Sequence, residues 1–189
     1  MKVCKFERMN NEDEVKQVIG CIQKEHPYVA VIPVLTQLQE WLQAISVSWF
    51  HEEDETSHTI VNAIEEYCRT LTDRLISDRK LNQDMKVQIE KCIEKIQVLV
   101  EDKADLLTDK IIKAEVYGLS NELFACCLRQ QGLRAQTLDT GKFMQINLER
   151  KPDIPYIKES VQQYISEKRD ADIFIAPLSL CKNVYGETD

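Results

Sequence analysis

Lys5 is the first side chain that could support chemistry, because it lies near the end of an apolar opening segment, residues 1–6. The segment has the pattern of a first buried strand, and a turn into a helix follows it. A lysine here could offer a cation to an anion; the alternative is a strand-end lysine that faces solvent. The chain has five glycines, none before Gly20 and no two adjacent, which excludes a glycine-rich phosphate loop.

Histidine and acidic residues cluster where His51-Glu-Glu-Asp-Glu55 precedes His58. A metal site would need a fixed ligand spacing, which this cluster lacks, so a solvated acidic loop that caps a helix is favoured. Cys126 and Cys127 are adjacent, so on a helix their side chains point about 100° apart and cannot easily bind one ion together. We therefore expect no metal ion. The three histidines, which include His26, lie in or beside predicted loops, and no catalytic triad is supported.

Composition and charge narrow the class of protein. The chain has 189 residues, of which 43% are hydrophobic and 30% charged, as in one ordinary globular domain. The net charge of −8 argues against a nucleic-acid or membrane surface. No apolar run approaches the roughly 20 residues that span a bilayer, and charged residues interrupt any signal-peptide core. The seven cysteines, an odd number without a C-x-x-C pair, are typical of reduced core thiols, so we expect a cytoplasmic protein.

Apolar periodicity predicts an α/β domain. Residues 2–6 have the pattern of a short strand, Asn10 and Asn11 are good helix N-caps, and Pro27 ends the helix that follows. Residues 28–34, Y-V-A-V-I-P-V, form an apolar run typical of a strand buried on both faces of a parallel sheet. Strand, helix and strand together make a βαβ unit.

Helices dominate the rest of the predicted structure. Two long helices between about 56 and 101 are expected to form an antiparallel hairpin whose apolar stripes bury against each other. Trp41, Trp49 and Phe50, on or beside the apolar face of the preceding helix, either belong to the core or form a patch for a partner. The remaining elements are predicted as helices over 105–115 and 120–131 with Gly132 as C′ residue, a strand over 135–138, a helix from Pro155 to Lys168 and a strand over 171–177. We see no interdomain linker, so residues 1–189 are predicted to form a single domain.

Segments along the whole chain resemble a known family in the same order. The opening M-K-V-C-K-F-E-R-M-N is similar to M-K-V-x-K-F-G-G-T-S, the first strand and loop of the aspartokinases, in the amino-acid kinase family. Residues 29–40 align without gaps on that family's V-V-V-L-S-A-M-S-G-x-T-[ND], and residues 119–135 resemble the helix and strand after its G-E-L-x-S. Residues 151–159 and 181–187 are similar to segments of a subset of these enzymes. The resemblance implies the N-terminal half of the three-layer αβα sandwich of the amino-acid (carbamate) kinase-like fold.

The resemblance also implies phosphoryl transfer from ATP to aspartate, which depends on positioning and on neutralising charge. Lys5 matches the lysine of the first motif and is a vestigial catalytic candidate. Glu7 and Arg8 replace the glycines that let backbone N–H groups approach phosphate, and Glu7 would repel it. In the second loop Pro33 replaces a serine and has no N–H to donate, while Gln37 replaces a glycine and cannot cheaply adopt a positive φ.

The substrate-binding motif has also changed. Tyr117 aligns with the glutamate that the resemblance assigns to the substrate amine, and Glu115 and Glu122 lie nearby in the wrong register. Ser120 matches the serine of the motif and is a vestigial substrate-binding candidate. Gln39 replaces the threonine of the second loop. The family's G-S-D loop and its nucleotide-binding half would follow the end of this sequence, so we expect the chain to lack both.

These departures lead to three hypotheses. The first is a catalytically inactive aspartokinase-like protein without a cofactor, which acts in interaction, regulation or structure. The second is an aspartate kinase that uses Lys5 and MgATP and is completed by another chain. The third is an amino-acid-binding protein without catalysis. A half-sandwich leaves an open sheet edge and an uncovered flank, so we expect a homodimer or a protein partner.

Overall fold

A parallel sheet of four strands forms the centre of the molecule. The computed structural model describes residues 2–7, 9–168, 170–177 and 181–186. The strands are β1 (Val3–Lys5), β2 (Val29–Ile32), β3 (Ala135–Thr137) and β4 (Ile173–Pro177), in the spatial order β1-β2-β4-β3. The predicted α/β fold with a parallel sheet is confirmed, and all four predicted strands are present with slightly shorter bounds.

Helices cover the sheet on both faces. They are α1 (Glu12–Glu25), α2 (Thr36–Phe50), α3 (Asp54–Leu75), α4 (Arg79–Glu101), α5 (Leu106–Arg129) and α6 (Ile154–Ser166), with a short 3-10 turn at Thr140–Lys142. Ala30 and Ile175 face the core shared with α1 to α5. Val29 and Phe174 alternate with them along β2 and β4 and pack instead with Ile165 of α6. The result is a three-layer αβα arrangement. Among the described helices, none combines the length and apolar character that crossing a bilayer requires.

Local signals in the sequence fix several helix ends. The Asn11 side chain accepts a hydrogen bond from the Glu14 N–H at 3.0 Å and caps α1. At the end of α5, Gly132 has a φ of 84°. Its N–H donates to the Arg129 carbonyl, and the next N–H donates to the Leu128 carbonyl. This is the Schellman pattern, so the prediction of Gly132 as the C′ residue is confirmed.

The helix α5 corrects one prediction, because the helices expected over 105–115 and 120–131 are one continuous helix. Gly118 lies within it and costs roughly 1 kcal/mol relative to alanine. Val116 and Leu119, on either side, are buried in the same core, so packing outweighs that local cost. A smaller correction concerns the acidic loop expected at 51–55: α3 already begins at Asp54, so two of those carboxylates lie in its first turn.

The helical hairpin of α3 and α4 packs against α5 in the larger of the two cores. Ile64 of α3 and Ile89 and Ile96 of α4 are fully buried. The side chain of Asn82 closes the connection between the helices by donating to the carbonyls of Thr72 and Ile76. The predicted antiparallel hairpin with mutually buried stripes is therefore present, and it extends from residue 54 to residue 101.

The cysteines follow the predicted pattern in part. All seven lie in the described part of the chain, and none is paired in a disulfide. Four are buried, namely Cys68, Cys92, Cys126 and Cys127. Cys21 is exposed instead, and two others are half-buried, so core packing describes only part of the set. Burial raises the pKa of the Cys68 and Cys127 thiols to about 12, which keeps them neutral.

We expect Ile96→Ala to lower the free energy of unfolding by about 2–5 kcal/mol, because the fully buried side chain leaves a cavity between α4 and its neighbours. Urea unfolding followed by circular dichroism would measure the loss. Val98→Ala on the same helix is the matched control, since Val98 is 62% exposed and its change should stay within about 0.5 kcal/mol. Equal losses in the two variants would contradict the packing described for α4.

Candidate functional site

The loop after β1, where the resemblance implies phosphate binding, is closed by internal contacts. Met9 stands where the family has a threonine, and it is 1% exposed in the larger core. Its carbonyl accepts the backbone N–H of Thr36 at 3.0 Å, and the Thr36 hydroxyl donates to Asn10 Oδ1 at 2.8 Å. The loop is thereby tied to the start of α2. Arg8 and the residues from 187 onward lie outside the described part of the chain.

A carboxylate of the protein occupies the anion-binding position at the start of α1. The backbone N–H of Asn10 donates to Glu14 Oε2 at 2.6 Å, and the Asn10 side-chain amide donates to both oxygens of the same carboxylate. These hydrogen bonds hold the pKa of Glu14 below its usual range, since they favour the charged form. The helix N-terminus favours negative charge at this point. Glu14 therefore engages both the backbone and the side-chain donor of Asn10.

The loop after β2 is also filled. Pro33, Val34 and Leu35 are all buried, and α2 begins at the next residue. Gln37 lies in the first turn of that helix, where φ is negative, so the chain does not form the glycine-bearing loop of the family. The three main cavities of the described residues are lined by neither this loop nor the one after β1.

The two vestigial candidates lie on opposite faces of the sheet. Lys5 pairs in register with Val31 of β2 and shares the α6 face of the sheet with Val3. Ser120 is buried on α5, which packs on the other face, and Tyr117 is half-buried on the same helix. The structure does not bring Lys5 and Ser120 together. Their assignment as remnants of a site stays a prediction.

The main cavity of the described residues is an open cleft of about 700 Å³ near the end of β3. It lies between α4, the middle of α5, the 3-10 turn after β3, the end of α6 and the segment at 181–182. Neither Lys5 nor Ser120 lines it. β1 and β3 are opposite edges of the sheet. The spacings between adjacent strands place Lys5 roughly 14 Å from β3, beside which the cleft lies. Sequence reasoning did not find this cleft.

The carboxylates that line the cleft already have partners within the protein. Glu115 pairs with Lys95. Glu122 pairs with Arg129 and also accepts the Thr137 hydroxyl at 3.2 Å. The third carboxylate, that of Asp139, accepts the backbone N–H of Gly141 at 3.1 Å. Glu115 and Glu122 are therefore each paired with a cation, whereas Asp139 keeps its negative charge and is held by a backbone N–H.

Three lysines at the rim of the cleft lack such a partner. Among the described residues, no carboxylate pairs with Lys91, Lys168 or Lys182, and all three line the cleft. Lys168 Nζ lies 4.8 Å from the centroid of the Tyr164 ring, an aromatic contact that holds the cation at the cleft wall. The rim thus carries unpaired positive charge on a chain whose net charge is −8.

Asn121 of α5 lines the same cleft and is 1% exposed. Its Nδ2 donates to the Tyr117 carbonyl at 2.7 Å, but its Oδ1 is buried without a hydrogen-bond partner among the described residues. Beside it, burial raises the pKa of the Cys92 thiol to about 12, so Cys92 contributes a neutral apolar wall rather than a nucleophile. A polar residue on an otherwise apolar helix face was the available sequence signal for Asn121.

No group of His, Cys, Asp and Glu among the described residues could hold a metal ion.

The fold and the loops together describe a three-layer αβα domain whose loops after β1 and β2 are filled by the protein's own residues. No family model matches the sequence, and no curated protein matches it. Solved structures do match. Aspartokinase III of E. coli in complex with aspartate and ADP (R-state) gives a TM-score of 0.78 at 18% identity, and its complex with lysine and aspartate (T-state) gives 0.80 at 19%. Each match covers 98% of this chain and 42% of the enzyme.

The aspartate kinase of Clostridium acetobutylicum, an allosteric enzyme, is also similar in structure. Its TM-score is 0.72 at 12% identity, over 99% of this chain and 41% of the enzyme. The chain thus spans about two fifths of the length of the aspartokinases that it matches. The aspartokinase-like fold expected from the sequence is confirmed, and the covered share is consistent with the N-terminal part of such an enzyme.

We expect Glu14→Gln to lower the free energy of unfolding at neutral pH, because a neutral amide accepts weaker hydrogen bonds from Asn10 than the carboxylate does. The pKa of Glu14 is lowered in the folded state. The stabilisation is therefore present above the pKa of an unfolded glutamate, about 4.3, and is lost as pH falls through the lower folded-state value. Urea unfolding of both proteins at neutral and acidic pH measures it. A stability difference independent of pH would contradict the carboxylate's role.

Proposed function

We propose that this protein is a catalytically inactive relative of the aspartokinase fold that acts through contacts with another protein chain. The observation that carries the inactivity is the Glu14 carboxylate bound to the Asn10 N–H at 2.6 Å. A group of the same charge as phosphate thus takes that N–H, which supports the proposal that the loop after β1 does not bind phosphate. The buried Met9 and the helical Gln37 support the same conclusion for the two loops around it.

The energetic consequence for phosphoryl transfer is large. Removing one donor aimed at transition-state charge costs about 10²–10³ in rate. Here the Asn10 N–H after β1 is engaged by Glu14, and Pro33 has no N–H to offer after β2. Lys5 remains exposed, but a lone cation at a strand end does not position a phosphoryl group.

We expect no ADP release above the uncatalysed background when the purified protein is mixed with MgATP and aspartate. A coupled assay of ADP formation would measure it, with E. coli aspartokinase III as the positive control. Calorimetric titration with MgATP, and with aspartate in its presence and absence, should show no saturable heat. ADP release that exceeds background in the wild type and disappears in Lys5→Ala would overturn the proposal in favour of a kinase that uses Lys5.

An exposed apolar surface supports the proposed protein contact. It consists of Val47, Phe50, Leu106 and Leu107, which are 53%, 44%, 73% and 48% exposed. We call it the α2–α5 patch. Large exposed side chains of this kind are common singly, but a group at one place indicates an interaction surface.

Contacts between α2 and α5 show that the patch is continuous. The Ser46 hydroxyl donates to Asp109 Oδ1, and the Trp49 indole N–H donates to the carbonyl of Asp102, just before α5. Phe50 lies one turn from Ser46, and Leu106 lies nearly one turn from Asp109. Both therefore lie at the same end of the helix pair.

A second copy of the chain is the partner that we propose. A surface of four apolar side chains can pair with itself about a twofold axis, which is the commonest arrangement of homo-oligomers. The edge strand β1 adds exposed apolar area, because Val3 is 52% exposed on the face that α6 leaves open.

We place the protein in the cytoplasm, on the basis of seven cysteines that form no disulfide.

We expect light scattering coupled to size-exclusion chromatography to give twice the chain mass of 22.0 kDa. Leu106→Glu should shift the mass to that of the monomer, because it places a charge in the centre of the α2–α5 patch. Val98→Glu is the matched control, since Val98 is 62% exposed on α4 outside the patch and should leave the dimer intact. A monomeric wild type would count against the homodimer. A Leu106→Glu variant that remains dimeric would exclude this patch.

A further inference from the structure

We propose that the cleft beside β3 binds a small oxyanion that also carries an O–H or N–H donor, of which hydrogen phosphate is the simplest example. The site is separate from the filled loops after β1 and β2 and does not depend on kinase chemistry. It rests on two independent features of the cleft. One is the unpartnered acceptor of Asn121, and the other is the group of unpaired lysines at the rim.

The Asn121 side chain offers an acceptor, Oδ1, that no donor among the described residues satisfies. A buried polar atom without a hydrogen bond costs roughly 1–3 kcal/mol, so such atoms are rare in native proteins. The amide orientation is fixed, because exchanging its oxygen and nitrogen would set Oδ1 against the Tyr117 carbonyl, which Nδ2 now contacts at 2.7 Å. Oδ1 is an acceptor, so the group that satisfies it must donate.

The lysines offer positive charge to a ligand. Lys91 comes from α4, Lys168 from the end of α6, and Lys182 from the segment after β4, so three separate parts of the chain bring a cation to one cleft. The carboxylates of the cleft have partners already, as described above. Unpaired cations that converge on a concave surface raise the local concentration of anions, and the effect is strongest where the walls are of low dielectric.

The size and floor of the cleft favour an organic anion over a bare ion as the full ligand. About 700 Å³ lies within the range of small-molecule sites. Cys92, Leu119 and Leu138 are buried residues of its wall, so an apolar portion of the ligand could lie against them. The charged group would meet the lysines at the rim, and its hydroxyl or amine would donate to Asn121. A hydroxy acid or an acid phosphate has this chemistry.

Phosphate and sulfate are probes that test the ligand's negative charge and its hydrogen-bond donor separately. They are alike in shape, but at neutral pH phosphate carries an O–H and sulfate carries none. Calorimetric titration of the purified protein with each salt, at constant ionic strength, should show saturable phosphate binding. Sulfate should bind about tenfold more weakly, because it leaves Asn121 Oδ1 without a donor. Equal affinity for the two anions, or no saturable heat with either, would overturn the proposal.

Substitutions of the residues that line the cleft test whether the anion binds there. Asn121→Leu should reduce phosphate affinity to that of sulfate and leave sulfate unchanged. Because this residue is buried, Lys91→Gln and Lys182→Gln provide a second test at exposed positions, and each should weaken both anions severalfold. Lys80→Gln is the matched control, since Lys80 is an exposed lysine of α4 that does not line the cleft.

Two further outcomes would contradict the site. If Lys80→Gln weakens phosphate as much as Lys91→Gln does, the binding is diffuse surface attraction rather than recognition in the cleft. If Lys5→Ala abolishes phosphate binding and the cleft variants do not, the anion binds in the loop after β1. That result would also count against the proposed inactivity, whereas simple absence of phosphate binding would leave the proposed inactivity in place.

Discussion

The burial of the second half of α5, residues 119–128, on nearly all its sides is the constraint on which the rest of the structure depends. The helix packs on the sheet with one face and on the hairpin of α3 and α4 with another, and Val116, Phe124 and Cys127 are almost fully buried. A helical segment with apolar residues on several faces must be enclosed, so the hairpin covers what the sheet leaves open. The cleft forms where α4 and α5 separate near the end of β3. Asn121 is buried there because its helix is.

The loops at the two ends of the sheet's carboxyl edge differ in how they are packed. Beside β1 and β2 the loops are filled with Met9 and Leu35 and are bound to one another through Thr36. Beside β3 the chain leaves an open, lysine-rimmed cleft. The main open space of the described residues therefore lies beside β3 and not beside the loops to which the sequence resemblance points.

Sequence patterns predicted the strands and most helices because apolar runs, caps and prolines are local signals. They failed at Gly118, where local propensity suggests a break and only packing on both sides keeps the helix continuous. The departures from the aspartokinase motif were visible in the sequence at Glu7 and Pro33. The contact of Glu14 with Asn10 was not visible there, because it depends on the geometry of the loop. The cleft draws residues from five segments of the chain, so no stretch of sequence contains it.

The contact between Glu14 and Asn10 also bears on how readily an anion from solution could bind beside the start of α1. The carboxylate is a tethered competitor, since it is held beside the Asn10 N–H by the same helix that an incoming anion would approach. A tethered group acts at an effective concentration of millimolar or above. An outside anion would have to displace it before binding to that N–H. Access to the loop after β1 is therefore controlled by a residue of α1, which lies outside the loop itself.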